Sequence, residues 1–308
     1  MSTAVFRSEL IKLRSTRTPW VIGVVAVAGM ALTQVLTLVL PRTLRTLEQL
    51  SGSDAGFHVG VQASPAETSE LLADLASATD LGSGAAQRGL LDLLGSGPAG
   101  AGSSGVTALC MLLLGALAAT VDFRTGGIVP TALAVPERLR ILAGKAGATA
   151  TAALAVGVAL ALVTAAGLVL AVATTPGAGL AVAPAEALGV WGRGLAVMVL
   201  LSWLGLAVGT LVRGQVAAIV VVVALALVEP MVQAAALVLT GGATTATSWL
   251  PMTLGSLASA GQGAAQLFGA ASGAGPALGT AAALAGLLAW AAVLLTAAGL
   301  AFRRRDLA

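Results

Sequence analysis

Charge is what this 308-residue chain has least of: Asp, Glu, Lys and Arg make up 9% of it, against 57% hydrophobic residues. A soluble fold of this length needs a hydrated, charged exterior, so that pairing excludes an ordinary soluble domain. Aromatic residues are also sparse, at 3% with no tyrosine. The single cysteine, Cys110, excludes an intrachain disulfide and any multi-cysteine metal site. No G-x-x-x-x-G-K-[ST] phosphate loop occurs; the nearest fragment, Gly144-Lys145-Ala146, lacks the upstream glycine and the hydroxyl, so the chain is not expected to hydrolyse ATP itself. The run Gly102-Ser103-Ser104-Gly105 has the look of a serine nucleophile motif, but the only histidine, His58, sits in a loop and no catalytic constellation assembles. An enzyme is therefore not expected. The formal charge of +3 does not suggest nucleic acid, because the basic residues are scattered along helix ends rather than gathered in a patch.

What is abundant is Ala, Leu, Val and 39 Gly. Small side chains let helices approach closely, a main source of packing energy where lipid supplies no hydrophobic drive between helices. About 20 apolar residues cross the roughly 30 Å of hydrocarbon in a bilayer. Six windows qualify: 20–40, 101–121, 148–173, 194–212, 216–240 and 277–302. The expected fold is a single all-α polytopic membrane domain over residues 1–308. Residues 1–18 place Phe6, Leu10 and Leu13 at helical spacing among Arg7, Lys12, Arg14 and Arg17, a pattern suited to a helix lying in the membrane interface before the first span.

Lys and Arg near span ends are kept preferentially in the cytoplasm. With the N-terminus inside, twelve of the sixteen basic residues fall on cytoplasmic segments, including Arg124, Arg138, Arg140, Lys145, Arg213 and Arg303. Both termini are thus expected to be cytoplasmic, in the cell membrane. Residues 41–100 then form an acidic extracytoplasmic loop, and 122–147 a cytoplasmic loop mixing charges, turn residues and a short apolar patch. A helix over 128–135, bounded by Gly127 and Pro136, could dock into a partner groove. Residues 241–276 are too polar to cross and too apolar to be a free loop, which predicts interfacial or re-entrant helical pieces on the outer face.

Glu229, preceded by a long apolar run and followed by Pro230, is the charge placed deepest in the sequence. A carboxylate there must face a cavity or a partner rather than lipid, so the pair marks either a translocation path or a kink. Gly205 and Gly209 form a G-x-x-x-G contact face, and Trp20, Trp191 and Trp249 fall near expected interfaces as anchors.

Two stretches carry a family likeness. Ser8-Glu9-Leu10-Ile11-Lys12-Leu13-Arg14 resembles the Glu-x-x-Lys-Leu-Arg start of the permease subunits of bacterial ABC type-2 exporters, just before their first span. Asp122-Phe123-Arg124-Thr125-Gly126-Gly127-Ile128, followed by Leu133-Ala134-Val135-Pro136-Glu137-Arg138 and Lys145, is similar to their pattern between spans two and three, although Asp122 stands where the family often has Glu and the paired glycines replace a Gly-Thr. The resemblance implies an elbow helix bearing Glu9, Lys12 and Arg14. It also implies a coupling helix in a loop carrying Phe123, Arg124, Gly126, Ile128, Leu133, Pro136 and Arg138, and small outer helices before the last span. Partners implied are a separate ATP-binding cassette subunit, a second permease copy and the lipid bilayer. No cofactor is expected on this chain, ATP being bound by the partner. The alternative is a stand-alone secondary transporter or channel that uses Glu229.

Overall fold

The computed structural model describes residues 3–51, 81–95, 105–127, 137–175, 177–240, 246–260 and 278–304. Its regular elements are α1 (Thr3–Ser15), α2 (Arg17–Ser51), α3 (Gly84–Leu90), α4 (Val106–Thr125), α5 (Arg138–Thr174), α6 (Pro184–Val212), α7 (Gln215–Thr240), a 3₁₀ turn (Ala246–Trp249), α8 (Pro251–Ala260) and α9 (Thr280–Arg304), with no strand among the described residues. Six of these, α2, α4, α5, α6, α7 and α9, are long and apolar enough to cross a membrane. The chain is a multi-pass helical membrane protein.

Burial orders the bundle. Within their apolar windows, α4 is 67% and α6 61% buried, while α7 is only 17% buried, so α4 and α6 form the centre and α7 the periphery. Met111, Leu112 and Leu114 of α4 and Met198, Leu201 and Leu206 of α6 are essentially inaccessible. Outward-facing Val220, Val221, Leu227 and Val228 of α7 and Val24, Val25, Leu32 and Val35 of α2 present the apolar surface that lipid requires.

The α4–α6 seam depends on glycine. A methyl group at Gly205 would fall on the carbonyl of Leu112, one at Gly115 on the carbonyl of Ser202, and one at Gly209 within 2.5 Å of the Ala116 oxygen. Backbones in direct contact leave no room for any side chain there, and the Gly205–Gly209 pair is seated on α4.

Several expected boundaries are corrected. Helix α2 runs through Pro41 to Ser51, because the lost backbone donor at Pro41 is not followed by turn residues but by good helix formers such as Leu44 and Leu47. The segment expected as the outer loop over 41–100 therefore begins as helix, and its described later part packs inward, with Leu90, Leu91, Leu93 and Leu94 buried. Helix α4 continues past Asp122, and α5 begins at Arg138 rather than Ala148, so much of the expected 122–147 loop is helical. Helix α6 starts at Pro184, not Gly194, with proline in its first turn where no donor is lost. In the last three cases a charged residue, Asp122, Lys145 or Arg193, interrupts the hydropathy but finds a partner inside the protein. The expected helix over 128–135, with Ile128, Leu133 and Pro136, lies outside the described residues, as do His58 and the Gly102–Ser104 stretch.

Replacing Gly205 by Val forces α4 and α6 apart at their closest approach. We expect the purified variant to lose at least about 3 kcal/mol, the upper range for core overpacking, read as a marked fall in the detergent melting temperature against a Gly192→Val control, whose added side chain meets open space. Equal melting of the two variants would refute the close seam.

Candidate functional site

Two polar constructions stand out in this apolar bundle, one at each end. The first joins α1 to the facing ends of α4 and α5. Helix α1 lays Val5 against Gly144, where a side chain would approach Val5 to 2.7 Å, and this brings Glu9 beside Lys145. Glu9, Asp122 and Lys145 are all more than nine-tenths buried. The Lys145 ammonium uses all three of its N–H groups: it donates to Glu9 Oε2 at 2.9 Å, to Asp122 Oδ2, and to the Ala118 carbonyl at 3.3 Å. Lys12 Nζ closes the group, 2.8 Å from Glu9 Oε1 and 3.5 Å from Asp122 Oδ2.

Two carboxylates and two ammoniums make a neutral quartet, so no net charge is left in a water-poor place. Burial of Lys12 opposes its charge, but the hydrogen bond and charge of Glu9, then those of Asp122, outweigh it and hold Lys12 above its ordinary value. Its contribution to stability is therefore complete through neutral pH and is lost only as pH rises beyond the usual lysine range. Beside the quartet lies a cavity of about 40 Å³ lined by Thr16, Thr18, Pro19, Ile22 and Leu117 together with the charged groups. A space of that size holds one or two waters.

The same end holds the two roots of the α4–α5 loop. Gly126, at φ 69°, ends α4 in the left-handed conformation that favours glycine. Phe123 meets Phe302 of α9 edge to face, centroids 6.4 Å apart, and the guanidinium of Arg213 lies 5.7 Å above the Phe123 ring. Arg213 itself caps α6 at φ 61°, an uncommon conformation for a residue with a side chain. On the other root, Arg138 Nη1 donates to the carbonyls of Phe302 at 3.0 Å and Arg303 at 3.5 Å. The two roots thus share one anchor, the end of α9. Arg124 and Arg14 are exposed, the latter offering its carbonyl to Trp20 Nε1 at 3.2 Å.

The second construction surrounds α8, whose residues 251–259 are all buried. Glu229 is the N-terminal clasp of this helix: its Oε2 accepts from the Met252 N–H at 3.0 Å, and its Oε1 accepts from the Thr253 N–H at 2.6 Å and the Thr253 hydroxyl at 2.7 Å. A carboxylate against the unpaired N–H groups and positive end of a helix dipole is a stabilising arrangement. Gln233 donates to Thr253 Oγ1 and extends the chain of bonds. At the other end of α8, Ser259 donates its hydroxyl to Asp92 Oδ1 and accepts from Arg193 Nε at 3.4 Å through its carbonyl. Glu229 therefore faces a partner rather than lipid, as the sequence requires, but the partner is a helix end within the chain. Pro230 lies inside α7, which continues to Thr240. Trp20 and Trp249 are half-exposed or more, while Trp191 turns inward and donates to Thr164 Oγ1 at 3.2 Å, so it is a packing residue rather than a surface anchor.

The structure thus brings Glu9 and Lys12 together with Asp122 and Lys145, and Phe123 together with Arg138 through α9. Glu229 stands apart, at the opposite end. Sequence reasoning missed Arg213, Phe302, Asp92, Thr253 and Ser259. No local pattern marks them, since each acquires its partner only through tertiary contact. No metal-binding cluster occurs among the described residues. No protein-family model and no curated protein matches the sequence.

Two substitutions test these constructions. Lys145→Met strands two buried carboxylates on Lys12 alone and should cost about 3–5 kcal/mol, the usual penalty for breaking a buried pair. Adding Glu9→Gln and Asp122→Asn to it should recover much of that loss in the same thermal melt; a single variant as stable as the parent would show the quartet to be slack. Glu229→Gln keeps one acceptor oxygen for α8 and loses the other with the charge, an expected cost of about 1–3 kcal/mol. Its mark is faster hydrogen exchange at Met252 and Thr253, and unchanged exchange there would refute the clasp.

Proposed function

We propose that this chain is the membrane-spanning permease subunit of an ATP-driven exporter of the ABC type-2 class. The observation that carries the reading is the charged quartet: the N-terminal helix is fixed by Glu9 to Lys145 and by Lys12 to Asp122, on the two helices that flank the loop between the second and third spans. A force applied to that loop reaches α1 through a charged contact and α9 through Phe123 and Arg138. In this reading α1 is the elbow helix, with Glu9 and Lys12 facing inward and Arg14 outward. The loop carrying Arg124, Gly126, Ile128, Leu133 and Pro136 is the seat of the ATP-binding subunit, and α8 belongs to the outer helices before the last span.

The remaining features agree with it. Arg7, Arg14, Arg17, Arg124, Arg138, Arg140, Arg213 and Arg303 all belong to the end of the bundle that holds α1, which by the positive-inside rule is the cytoplasmic end of a cell-membrane protein with both termini inside. A phosphate loop is missing from the sequence because ATP binds the partner, and a second permease copy completes the path. Coupling consists of the differential contact this chain makes with two states of the ATPase. The stand-alone transporter reading needs a carboxylate free to bind and release an ion, and here both Glu229 oxygens are engaged by α8.

Purification of the tagged chain from its native membrane in mild detergent, with mass spectrometry of what stays bound, tests the proposal. We expect a co-purifying subunit with a phosphate-binding loop and ATPase activity in the eluate. Within that complex, Ile128→Asp or Leu133→Asp should abolish transport while the permease still elutes as the parent does. A chain that emerges alone, without ATPase, would overturn the reading.

A further inference from the structure

The outward face of α1 has a composition that the quartet does not use. Arg7, Ile11 and Arg14 recur at spacings of four and three and so share one stripe, opposite the face that buries Val5 and Glu9. Arg17 and Trp20 at the start of α2 continue the same end of the molecule. All three arginines are exposed, and none forms an ion pair with an acid among the described residues. The nearest acids, Glu9 and Asp122, are already neutralised by Lys12 and Lys145. The stripe is therefore a net positive strip on a neutral base.

Its apolar members point to the partner. Ile11, between Arg7 and Arg14 on the stripe, is 58% exposed, and Trp20, three residues beyond Arg17, is 63% exposed. A strip meant only for water has no use for either, and an acidic protein surface gives them no apolar medium. A bilayer interface supplies both requirements at once, with acyl chains below and phosphate oxygens above. The Trp20 Nε1 bond to the Arg14 carbonyl fixes the indole beside the arginines, and an indole at headgroup level is a favoured placement. Since the apolar window of α2 begins at Arg17, a bilayer crossed by that helix would hold the strip at headgroup depth.

We propose that Arg7, Arg14 and Arg17, with Ile11 and Trp20, form a binding surface for anionic phospholipid headgroups. Guanidinium groups pair with phosphate in a bidentate fashion, and a net negative lipid is favoured over a zwitterionic one because the strip carries no acid to meet the choline or ethanolamine cation. The rigid base matters: an α1 locked to Lys145 presents Arg7 and Arg14 at fixed spacing, with Arg17 following at the start of α2, at little ordering cost on binding. The surface requires only a membrane-spanning chain and does not depend on an ATP-binding partner.

The test uses the full chain in detergent, titrated with phosphatidylglycerol or phosphatidylcholine and followed by native mass spectrometry. Phosphatidylglycerol should bind in preference, and the triple variant R7Q/R14Q/R17Q should weaken that binding at least about tenfold, each basic residue near an anionic surface being worth about 1 kcal/mol. The triple lysine variant, R7K/R14K/R17K, keeps the charge and should retain most of the affinity. A control triple at the same end, R124Q/R140Q/R303Q, should leave it within about twofold, given that those cations lie off the strip. Equal retention of the two lipids by the parent chain overturns the proposal without recourse to any variant. So does an equal loss in the control triple, which would assign the preference to the whole basic end. Inorganic phosphate at millimolar concentration should not displace the lipid, because Ile11 and Trp20 have no part in binding a free ion; displacement would overturn the assignment to a lipid surface.

Discussion

The fold depends on one constraint: in a bundle with so few charges, every ionised group carried inside must meet a polar partner there. Lys145 shows how far the constraint reaches. Its ammonium sits within a long apolar helix and would be prohibitive alone. With Glu9, Asp122 and the Ala118 carbonyl each accepting one of its protons, it becomes the point where α1, α4 and α5 meet. The desolvation cost of such a group is large, so a hydrophobic substitute for the whole quartet could be as stable. What the ions add is direction. An apolar contact lets α1 slide along α5, whereas four charges in fixed pairing admit one register.

The opposite end obeys the same constraint with a different device. Helix α8 is buried over residues 251–259 and too short to cross a bilayer, so its unpaired terminal groups must be satisfied within the protein. Glu229 serves the N–H groups at its start and Arg193 a carbonyl near its end, each charge set against the helix pole it complements. Asp92 takes the Ser259 hydroxyl. A carboxylate deep in a span is a signal of ion transport when its oxygens are open; here they are the anchorage of a neighbouring helix.

How much of this was legible in the sequence follows from the range of each signal. Spanning helices announce themselves over twenty residues of hydropathy, so all six were found in order. Three of their ends were not, because Asp122, Lys145 and Arg193 read as exits from the membrane, whereas Asp122 and Lys145 pair with each other and Arg193 donates to the Ser259 carbonyl. The Gly205–Gly209 pair was visible as a contact face, yet only the structure names Leu112 and Ala116 as what it touches. Glu9, Lys12, Asp122 and Lys145 were noticed in two separate stretches, through their likeness to a family pattern; that they form one cluster is a fact of tertiary packing. Glu229 was singled out correctly as a residue that must have a partner. The partner, two backbone N–H groups and a hydroxyl, leaves no mark in sequence.

Helices α4 and α6 join the two ends. Their backbones touch at Gly115, Gly205 and Gly209, a contact with no side chain between them. Arg213 at one end of α6 lies over Phe123, the root of the α4–α5 loop, while Arg193 near the other end holds α8. Helix α8 is also gripped from α7 by Glu229, and α7 is the least buried span, so this short helix ties the periphery of the bundle to its centre.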